Sequence, residues 1–527
     1  MKRLPLEVLR EIFLFLHQND KLECMLVCRQ WKEILEHSAL YHTFCIFSQA
    51  SLKWLTEKIQ GRPDIANKIM QLVICSDYVK VNLSTLLPLL PSIKSLFCSS
   101  ADFNNLIINK TVQQYPWSKC IKRIDDLAIH SVTYHLLSSN TCPNLTTLNI
   151  TDYSQNIIPL LKNAPALMKL SLGCGMISLK NLEVIHQNTP YLRSLVVQNV
   201  SVDGSEIDDM IEPAILVTEC IFTNVNVGIF KMRIDLLVYI LKKYPSLSKF
   251  MYNVADCGTV VEDIVKLNEN GWLPLFQSVG SQLQTFGICD GYFIDNLFKE
   301  LDKFSCRIEK LKLWTIPSTQ LVELAQSQQT LYIQTLVLND MRYNCFEWLK
   351  KLEVLKKLKI DYFRYKLPKS RAIELADILE NAPPSLKSLS LHNLILDADP
   401  DYVDTSKVEA LSFYRVYLPQ GVGNYISSHF PNLSTLKLKN CQRPRIIDLS
   451  KLNLFSFRFT EHFQRNSNIF VITHSSKETL RYSVKNVSCG MSLTRETKPY
   501  CPTLDCYLDP NLLFGIFFNS LMNISFE

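Results

Sequence analysis

At 527 residues the chain is too long for one ordinary globular domain, unless it is a repeat array in which each unit packs only on its neighbours. Its 56 basic and 50 acidic residues leave a net charge of +6, too mild to argue for nucleic acid, while 47% hydrophobic residues suffice for a continuous core. The 17 Cys are scattered with no C-x-x-C and no zinc-type spacing, Glu7, Arg10 and Glu11 interrupt any secretory apolar run, and no stretch is apolar enough to span a bilayer. The composition therefore predicts an intracellular protein, cytoplasmic or nuclear, with reduced thiols, no membrane span and no cofactor.

In chain order, the first element is helical. Leu9, Ile12, Phe13 and Leu16 recur at the spacing of one helix face, and Pro5 stands where a helix begins. Asn19 and Asp20 interrupt and can cap a second helix, which carries Leu22, Met25, Leu26 and Arg29. A third starts near Gln30 and carries Trp31, Ile34 and Leu35. Such a short segment rarely stands alone, so it leans on the rest of the chain or on a partner. The stretch from Leu4 to Ile34 resembles an F-box. The family's L-P pair is Leu4-Pro5, its acidic residue Glu7, its I-F pair Ile12-Phe13, and its closing Leu is Leu16. The later V-C-R-x-W is Val27-Cys28-Arg29 with Trp31. The resemblance implies docking on the Skp adaptor of a cullin–RING ubiquitin ligase. The residues it carries over are Leu4, Pro5, Glu7, Ile12, Phe13, Leu16, Leu22, Val27, Cys28 and Trp31. Some would face the adaptor and others the segment's own core, and the sequence does not divide them. The plain alternative is a helical cap for the rest of the chain.

Residues 46–66 read as a linking or capping helix broken at Arg62-Pro63. From Ile69 onward one pattern recurs. Its clearest copy is PNLSTLKLKNC, Pro431 to Cys441, where Leu433, Leu436 and Leu438 are spaced L-x-x-L-x-L and Cys441 lies three residues further on. That is the leucine-rich-repeat strand signature. Leu436 and Leu438 point inward, while Thr435, Lys437 and Lys439 point outward. The middle Leu has equivalents at Leu148, Leu170, Leu195, Cys220, Phe250, Phe286, Leu311, Leu336, Leu358, Leu389 and Leu411, mostly 22 to 25 residues apart. Leu72, Leu96, Phe455 and Ile524 also fit; Ile124, Ser483 and Tyr507 fit poorly. Pro165, Pro190, Pro245, Pro384 and Pro431 hold corresponding places between an apolar helical run and a strand, because Pro cannot continue a helix. Each unit thus reads as helix, Pro break, strand, and the longer units resemble the ribonuclease-inhibitor-like repeats that commonly follow F-boxes. The expected architecture is α/β: a leucine-rich-repeat horseshoe with a concave parallel sheet and convex helices, preceded by a three-helix F-box. The boundaries are 1–45, a linker or cap at 46–66, and repeats from 67 to 527 with a C-terminal cap. The acidic stretch Val200 to Pro213 and the long stretch Tyr252 to Leu283 break the period and are expected as loops.

No catalytic constellation appears: no H-E-x-x-H, G-x-S-x-G, P-loop or dinucleotide fingerprint, and dispersed His. A catalytic subunit is not expected. The outward strand positions say more. Lys310, Lys312, Lys356, Lys357, Lys359, Lys387, Lys437 and Lys439 outnumber Glu309, Asp361 and Glu409, with Trp314, His392 and Tyr414 interleaved. This face is expected to bind an acidic or phosphorylated segment of a target protein; the plain reading is a solubilising Lys surface. The expected function is substrate recognition in an SCF-type ubiquitin ligase, bridging a Skp adaptor and a target. The alternative is a repeat scaffold without a ligase.

Overall fold

A computed structural model describes residues 5–15, 21, 24–36, 40–46, 48–75, 81–82, 86–99, 106–107, 116–127, 132–139, 141–151, 155–203, 211–227, 230–254, 265–289, 296–314, 318–339, 346–362, 372–397, 405–442, 446–460, 468–473, 478–487, 490–499 and 512–526. The chain divides into two compact units. The first comprises Met1–Leu247 with Val254–Gly258, and the second comprises Ser248–Asn253 with Thr259–Glu527.

The first unit begins with α1 (Leu6–Phe15) and α2 (Arg29–Ile34), then a strand β1 (Thr43–Ile46) and α3 (Gln49–Gly61). Ser48 and Ser51 cap α3 reciprocally, satisfying two N–H groups that the helix itself cannot. The break at Arg62-Pro63 is real: Arg62 ends α3 and Pro63 opens a short helix over Pro63–Ala66. A parallel ladder comes next. It runs from β1 through β2 (Gln71–Cys75), β3 (Ser95–Ser99), β4 (Arg123–Asp126), β5 (Thr147–Ile150), β6 (Lys169–Ser178), β7 (Ser194–Asp203) and β8 (Glu219–Val227). The first rung therefore lies earlier than Ile69, because Phe44 of β1 pairs in register with Leu72. Ile124 also sits fully in register, between Leu96 and Leu148. It looked poor because the inward position after it holds Asp126 where the pattern wants Leu. Asp126 is buried, and its Oδ2 accepts from the backbone N and the hydroxyl of Thr133, both at 2.9 Å, which compensates for burying it.

The second unit repeats the design. Its parallel ladder is β9 (Lys249–Val254), β10 (Thr285–Cys289), β11 (Lys310–Trp314), β12 (Thr335–Asn339), β13 (Lys357–Asp361), β14 (Ser388–His392), β15 (Ala410–Tyr414), β16 (Thr435–Lys439) and β17 (Ile446–Thr460). Phe250, Phe286, Leu311, Leu336, Leu358, Leu389, Leu411 and Leu436 are register-mates along it, and the next is Phe457 rather than Phe455. Beyond β17 the order changes. A last strand, β21 (Leu512–Phe526), pairs parallel with β17 and with β18 (Asn468–Thr473), while β19 (Glu478–Val487) and β20 (Gly490–Pro499) extend β18 antiparallel. Ser483 belongs to this antiparallel part, and Tyr507 lies outside the described residues. Each unit is thus an α/β leucine-rich-repeat solenoid.

One hydrogen-bond pattern sets the register of both ladders. The carbonyl just before each strand accepts two N–H groups from the next repeat. Gln284 O takes Glu309 N and Lys310 N; Gln334 O takes Lys356 N and Lys357 N; Lys387 O takes Glu409 N and Ala410 N. Inward residues at the second and fourth strand positions are buried, as in Leu311 and Leu313 or Leu436 and Leu438. The five Pro stand at one offset ahead of their strands, Pro165 before Lys169 and Pro431 before Thr435.

In six of the repeats the connecting helix differs with repeat length. The repeats from Leu170 to Leu195, Phe286 to Leu311, Leu311 to Leu336 and Leu411 to Leu436, each 25 residues, carry α4 (Leu179–Asn188), α7 (Leu297–Lys303), α8 (Ser318–Gln326) and α10 (Val422–His429). The 22-residue repeats from Leu148 to Leu170 and Leu336 to Leu358 instead use 3₁₀ helices, Gln155–Asn163 and Glu347–Lys351. A 3₁₀ helix rises about 2.0 Å per residue against about 1.5 Å for an α-helix, so fewer residues cover the distance. Other described α-helices include Val132–Ser139, α5 (Phe230–Lys243), α6 (Leu273–Val279) and α9 (Leu375–Asn381). α6 corrects an expectation. The later half of the Tyr252 to Leu283 stretch is no loop: Trp272, Leu275, Phe276 and Val279 are fully buried, and Trp272 packs on Tyr252 and Phe286 with ring centroids 5.3 and 5.9 Å apart. Most of the acidic stretch, residues 204–210, lies outside the described residues.

Candidate protein-interaction surfaces

The F-box-like helices sort their residues into two sets. Phe13 is buried with Ile34 and Leu35, and Leu9, Leu14, Cys24, Met25 and Trp31 pack around them. Phe13 meets Trp31 edge to face at 5.3 Å. Cys28 has extended backbone, and its Sγ accepts from Trp31 N at 3.5 Å, so it caps α2. Pro5, Glu7, Ile12, Val27 and Cys28 are exposed. Leu4, Leu16 and Leu22 lie outside the described residues. Three apolar residues that the motif did not single out join the exposed set: Leu6, Val8 and Leu26, the last 86% accessible beside Val27 at 63%. A segment this small cannot cover its own apolar side chains, and exposed apolar clusters mark interaction sites.

The second surface is the outward face of the C-terminal ladder. Register brings Lys310, Lys312 and Trp314 on β11 beside Lys357, Lys359 and Asp361 on β13, with only β12 between them. His392, Tyr414, Lys437 and Lys439 continue the same face on β14, β15 and β16. Two of the expected residues do not belong there. Lys356 and Lys387 precede their strands, at the position whose carbonyls carry the register bonds, and so lie along the sheet's edge. There Lys356 Nζ donates to Gln334 Oε1 at 3.0 Å, and Lys387 Nζ pairs with Glu409 at 2.9 Å. Glu309 and Glu409 share that edge, so the face itself keeps the same excess of Lys with Asp361 as its carboxylate.

The face is organised by its aromatics and one acid. Lys312 Nζ sits 4.3 Å from the Trp314 ring centroid. Burial pushes its ammonium below the usual lysine range, and the charges of Lys359 and Lys310 add to this while Asp361 opposes it. Asp361 is nearly buried. Its Oδ2 lies 3.0 Å from Lys359 Nζ and 3.4 Å from His392 Nδ1, and its Oδ1 accepts from Asn393 Nδ2 at 2.7 Å. Burial works against its charge, yet the hydrogen bonds from His392, Lys359 and Asn393 hold the carboxyl well below the usual carboxylate range. His392 stacks edge to face on Tyr414 at 5.3 Å, and Lys439 approaches the same ring at 5.6 Å.

Two further residues were not anticipated. Arg415 directly after Tyr414 has left-handed backbone, φ 53, and its guanidinium lies 5.2 Å from the Tyr414 ring. At the equivalent positions Asn199, Asn393 and Asn440 adopt this conformation, which Asn tolerates and Arg rarely does. The signal was present in the sequence as an Arg where other repeats hold Asn. The second is Asn339, which ends β12 between Trp314 and Asp361 and is buried despite its polar side chain.

The first unit offers less. Its outward face forms a shallow recess of about 410 Å³ lined by Gln71, Val73, Ser95, Phe97, Arg123 and Asp125, where Arg123 pairs with Asp125 at 2.6 Å. On its helix side a recess of about 920 Å³ has Glu183, His186 and Lys243 in its wall. Lys243 bonds Glu183 at 2.6 Å, and His186 Nε2 lies 2.9 Å from the Tyr244 hydroxyl. Burial first, then the Lys243 charge, lowers the His186 pKa to about 3. Burial pushes the Cys142 and Cys306 thiols up to about 12, and Cys220 is pushed well above its ordinary value; such thiols are inert. Among the described residues no group of His, Cys, Asp and Glu could hold a metal ion, and no helix is long and apolar enough to cross a membrane.

Residues 1–47 match the F-box-like family, so the chain carries an F-box-like domain ahead of its leucine-rich repeats. Solved structures of leucine-rich-repeat architecture resemble it at low identity. In the mouse RP105/MD-1 complex, one chain is 13% identical with a TM-score of 0.37, covering 79% of this chain and 70% of that one. The TLR13–ssRNA13 complex gives 14% and 0.33, over 75% of this chain and 56% of that one. An internalin from Listeria monocytogenes gives 15% and 0.23, over 81% and 89%. No curated protein matches in sequence. F-box and leucine-rich-repeat scaffolds are typically non-catalytic, and the pairing is that of a protein-interaction adaptor.

Proposed function

We propose that this chain, an F-box-like domain followed by leucine-rich repeats, is the substrate-recognition subunit of a Skp–cullin–F-box ubiquitin ligase. The observation that carries the reading is the set of apolar side chains the F-box-like segment leaves exposed, Pro5, Leu6, Val8, Ile12, Leu26 and Val27. F-box domains generally bind Skp-type adaptors, and this surface has the chemistry such docking requires. Phe13 and Trp31 hold the helices together from inside, Cys28 fixes the start of α2, and Ile12 and Val27 meet the adaptor. The outward face of the C-terminal ladder holds the target: Lys310, Lys312, Lys357, Lys359, Lys437 and Lys439 supply charge, and Trp314, His392 and Tyr414 supply anchors. Holding target and ubiquitin-loaded enzyme on one assembly raises their effective concentration, so the chain needs no catalytic residue of its own.

The test is co-purification of the full chain with a Skp adaptor, compared with an Ile12→Asp/Val27→Asp double variant. Both substitutions fall on exposed side chains and leave the Phe13 cluster intact. Wild type is expected to retain the adaptor, and the variant to lose at least about thirtyfold in affinity, the scale of an interface hot spot. Equal retention by a folded variant overturns the docking surface. Failure of wild type to retain any adaptor leaves a repeat scaffold without a ligase.

A further inference from the structure

The recess on the outward face of the first unit sets a row of donors beside an apolar row. Gln71, Ser95 and Arg123 are register-mates on β2, β3 and β4, and two residues further along the same strands stand Val73, Phe97 and Asp125. All six line the recess of about 410 Å³. Same-face neighbours along a strand lie roughly 6–7 Å apart, and adjacent strands about 4.8 Å apart. One small group can therefore touch both rows. Val73 and Phe97 are only half-buried, so the second row leaves apolar surface for it.

Arg123 is held from behind. Asp125 is 6% exposed; its Oδ2 accepts from Arg123 Nε at 2.6 Å and its Oδ1 from Arg123 Nη2 at 3.2 Å. Asn149 Nδ2 donates to the same Oδ1. A guanidinium forked in this way turns its opposite edge, with both N–H groups of Nη1, away from the carboxylate. Among the described residues Nη1 meets no acceptor, and the side chain is 57% accessible. Gln71 Oε1 accepts from the Thr43 hydroxyl at 3.2 Å, which leaves Gln71 Nε2 uncommitted. The Ser95 hydroxyl is likewise free among the described residues.

We propose that this recess takes the C-terminal carboxylate of a partner protein whose last residue is apolar. Arg123 Nη1 and the Ser95 hydroxyl, on neighbouring strands, take its two oxygens. Gln71 Nε2 takes the carbonyl of the preceding peptide group, and the last side chain lies on Val73 and Phe97. A chain end fits because there a carboxylate and an apolar side chain share one Cα, close enough to meet both rows at once. A phosphate fits less well: its second charge would lie beside Asp125, and Arg123 is the one cation among the residues lining the recess. The proposal concerns the first unit alone and rests neither on the Lys-rich face nor on adaptor docking.

The experiment uses the immobilised full chain and a pool of peptides with randomised upstream residues and Leu, Val or Phe at the end, beside the same pool made as C-terminal amides. Wild type is expected to retain the free-acid pool at least about tenfold better, the scale of one hydrogen bond to a charged group. It is also expected to prefer a last Leu to a last Ser. N-acetyl-leucine is expected to compete, and N-acetyl-leucinamide is not. Arg123→Lys is expected to abolish the free-acid preference although it keeps the charge, because an ammonium cannot fork onto Asp125 and present a second edge. Phe97→Ser is expected to erase the preference for Leu over Ser. Circular dichroism of both variants is expected to match wild type. Equal retention of both pools by wild type, or retention of neither, overturns the proposal. So does a free-acid preference that survives in Arg123→Lys. Loss of the preference in Lys437→Gln/Lys439→Gln, but not in Arg123→Lys, overturns the recess in favour of the Lys-rich face. If Arg123→Lys does not fold, Phe97→Ser decides, and unchanged discrimination of Leu from Ser overturns the recess.

Discussion

The two ladders are built alike on the inside and differently on the outside. In the first unit, the outward positions of β2 to β8 carry Gln71, Ser95, Thr147, Asn149, Val196 and Ile221, and the charges there compensate each other. Arg123 forks onto Asp125, which Asn149 also contacts, and Ser194 donates to Glu219 at 2.8 Å. In the second unit, the outward positions of β11 to β16 carry Lys310, Lys312, Lys357, Lys359, Lys437 and Lys439, and among the described residues Asp361 is the one carboxylate facing them. Inward, the two ladders are interchangeable: Leu148, Leu170 and Leu195 do what Leu311, Leu336 and Leu358 do. The strand period separates the two jobs. Inward positions are dictated by burial, and outward positions are free to diverge without cost to the fold.

That comparison breaks first if inward residues are not equivalent. Leu172→Ala and Leu338→Ala, one in each unit, are both expected to cost about 2–5 kcal/mol in chemical denaturation, since each side chain is fully buried. A cost confined to one unit would show that the two cores carry unequal load.

A sharper version uses acid. His186 is held neutral in the fold, with a pKa near 3 against an ordinary value of 6.5. Below pH 6.5 the unfolded chain takes up a proton that the folded chain refuses. Stability of the first unit is therefore full above 6.5 and falls as pH drops toward 3, by up to about 1.4 kcal/mol per pH unit. Asp361 has its carboxyl pKa depressed, so its contribution to the second unit is full above the ordinary carboxylate range and is lost only below about pH 4. Thermal unfolding between pH 7 and 5 is expected to weaken the first unit alone, and His186→Gln to flatten that dependence. Weakening of both units in the same window would refute the assignment.

The smallest expected effect separates two glycines on the outward faces. A Cβ at Gly173 meets the Thr151 carbonyl oxygen at 2.8 Å, a backbone atom that cannot retreat. At Gly287 it meets side-chain atoms, Trp314 Cζ3 at 3.1 Å and Met251 Cγ at 3.2 Å. Gly173→Ala is expected to cost about 1–3 kcal/mol in stability. Gly287→Ala is expected to cost less and to change Trp314 fluorescence instead. The reverse order would mean that Trp314 is the more rigid neighbour.

Much of this was legible beforehand. The Leu spacing predicted every register-mate from Leu148 to Leu195 and from Phe250 to Leu436, because a two-residue period and a buried face leave one pairing that keeps apolar side chains inside. The helical character of the N-terminal segment was legible for the same kind of reason, and its F-box resemblance lay in particular residues, Leu4-Pro5, Ile12-Phe13 and Val27-Cys28-Arg29 with Trp31. Ile124 was misjudged because Asp126 behind it is satisfied by Thr133, an interaction no local pattern announces. The stretch holding α6 was mistaken for a loop because its aromatics obey no repeat, although Trp272 is central to the core.

Position along the chain thus determined the fold and the polarity of each strand position, since both follow from backbone geometry and burial. Only tertiary structure decided which F-box residues face out, because Phe13 and Ile12 are neighbours in sequence and opposites on a packed helix. It alone moved Lys356 and Lys387 to the sheet's edge, where strand-start hydrogen bonds hold them. It alone brought Asn339 between Trp314 and Asp361, because residues more than twenty apart become neighbours only when successive repeats stack in register.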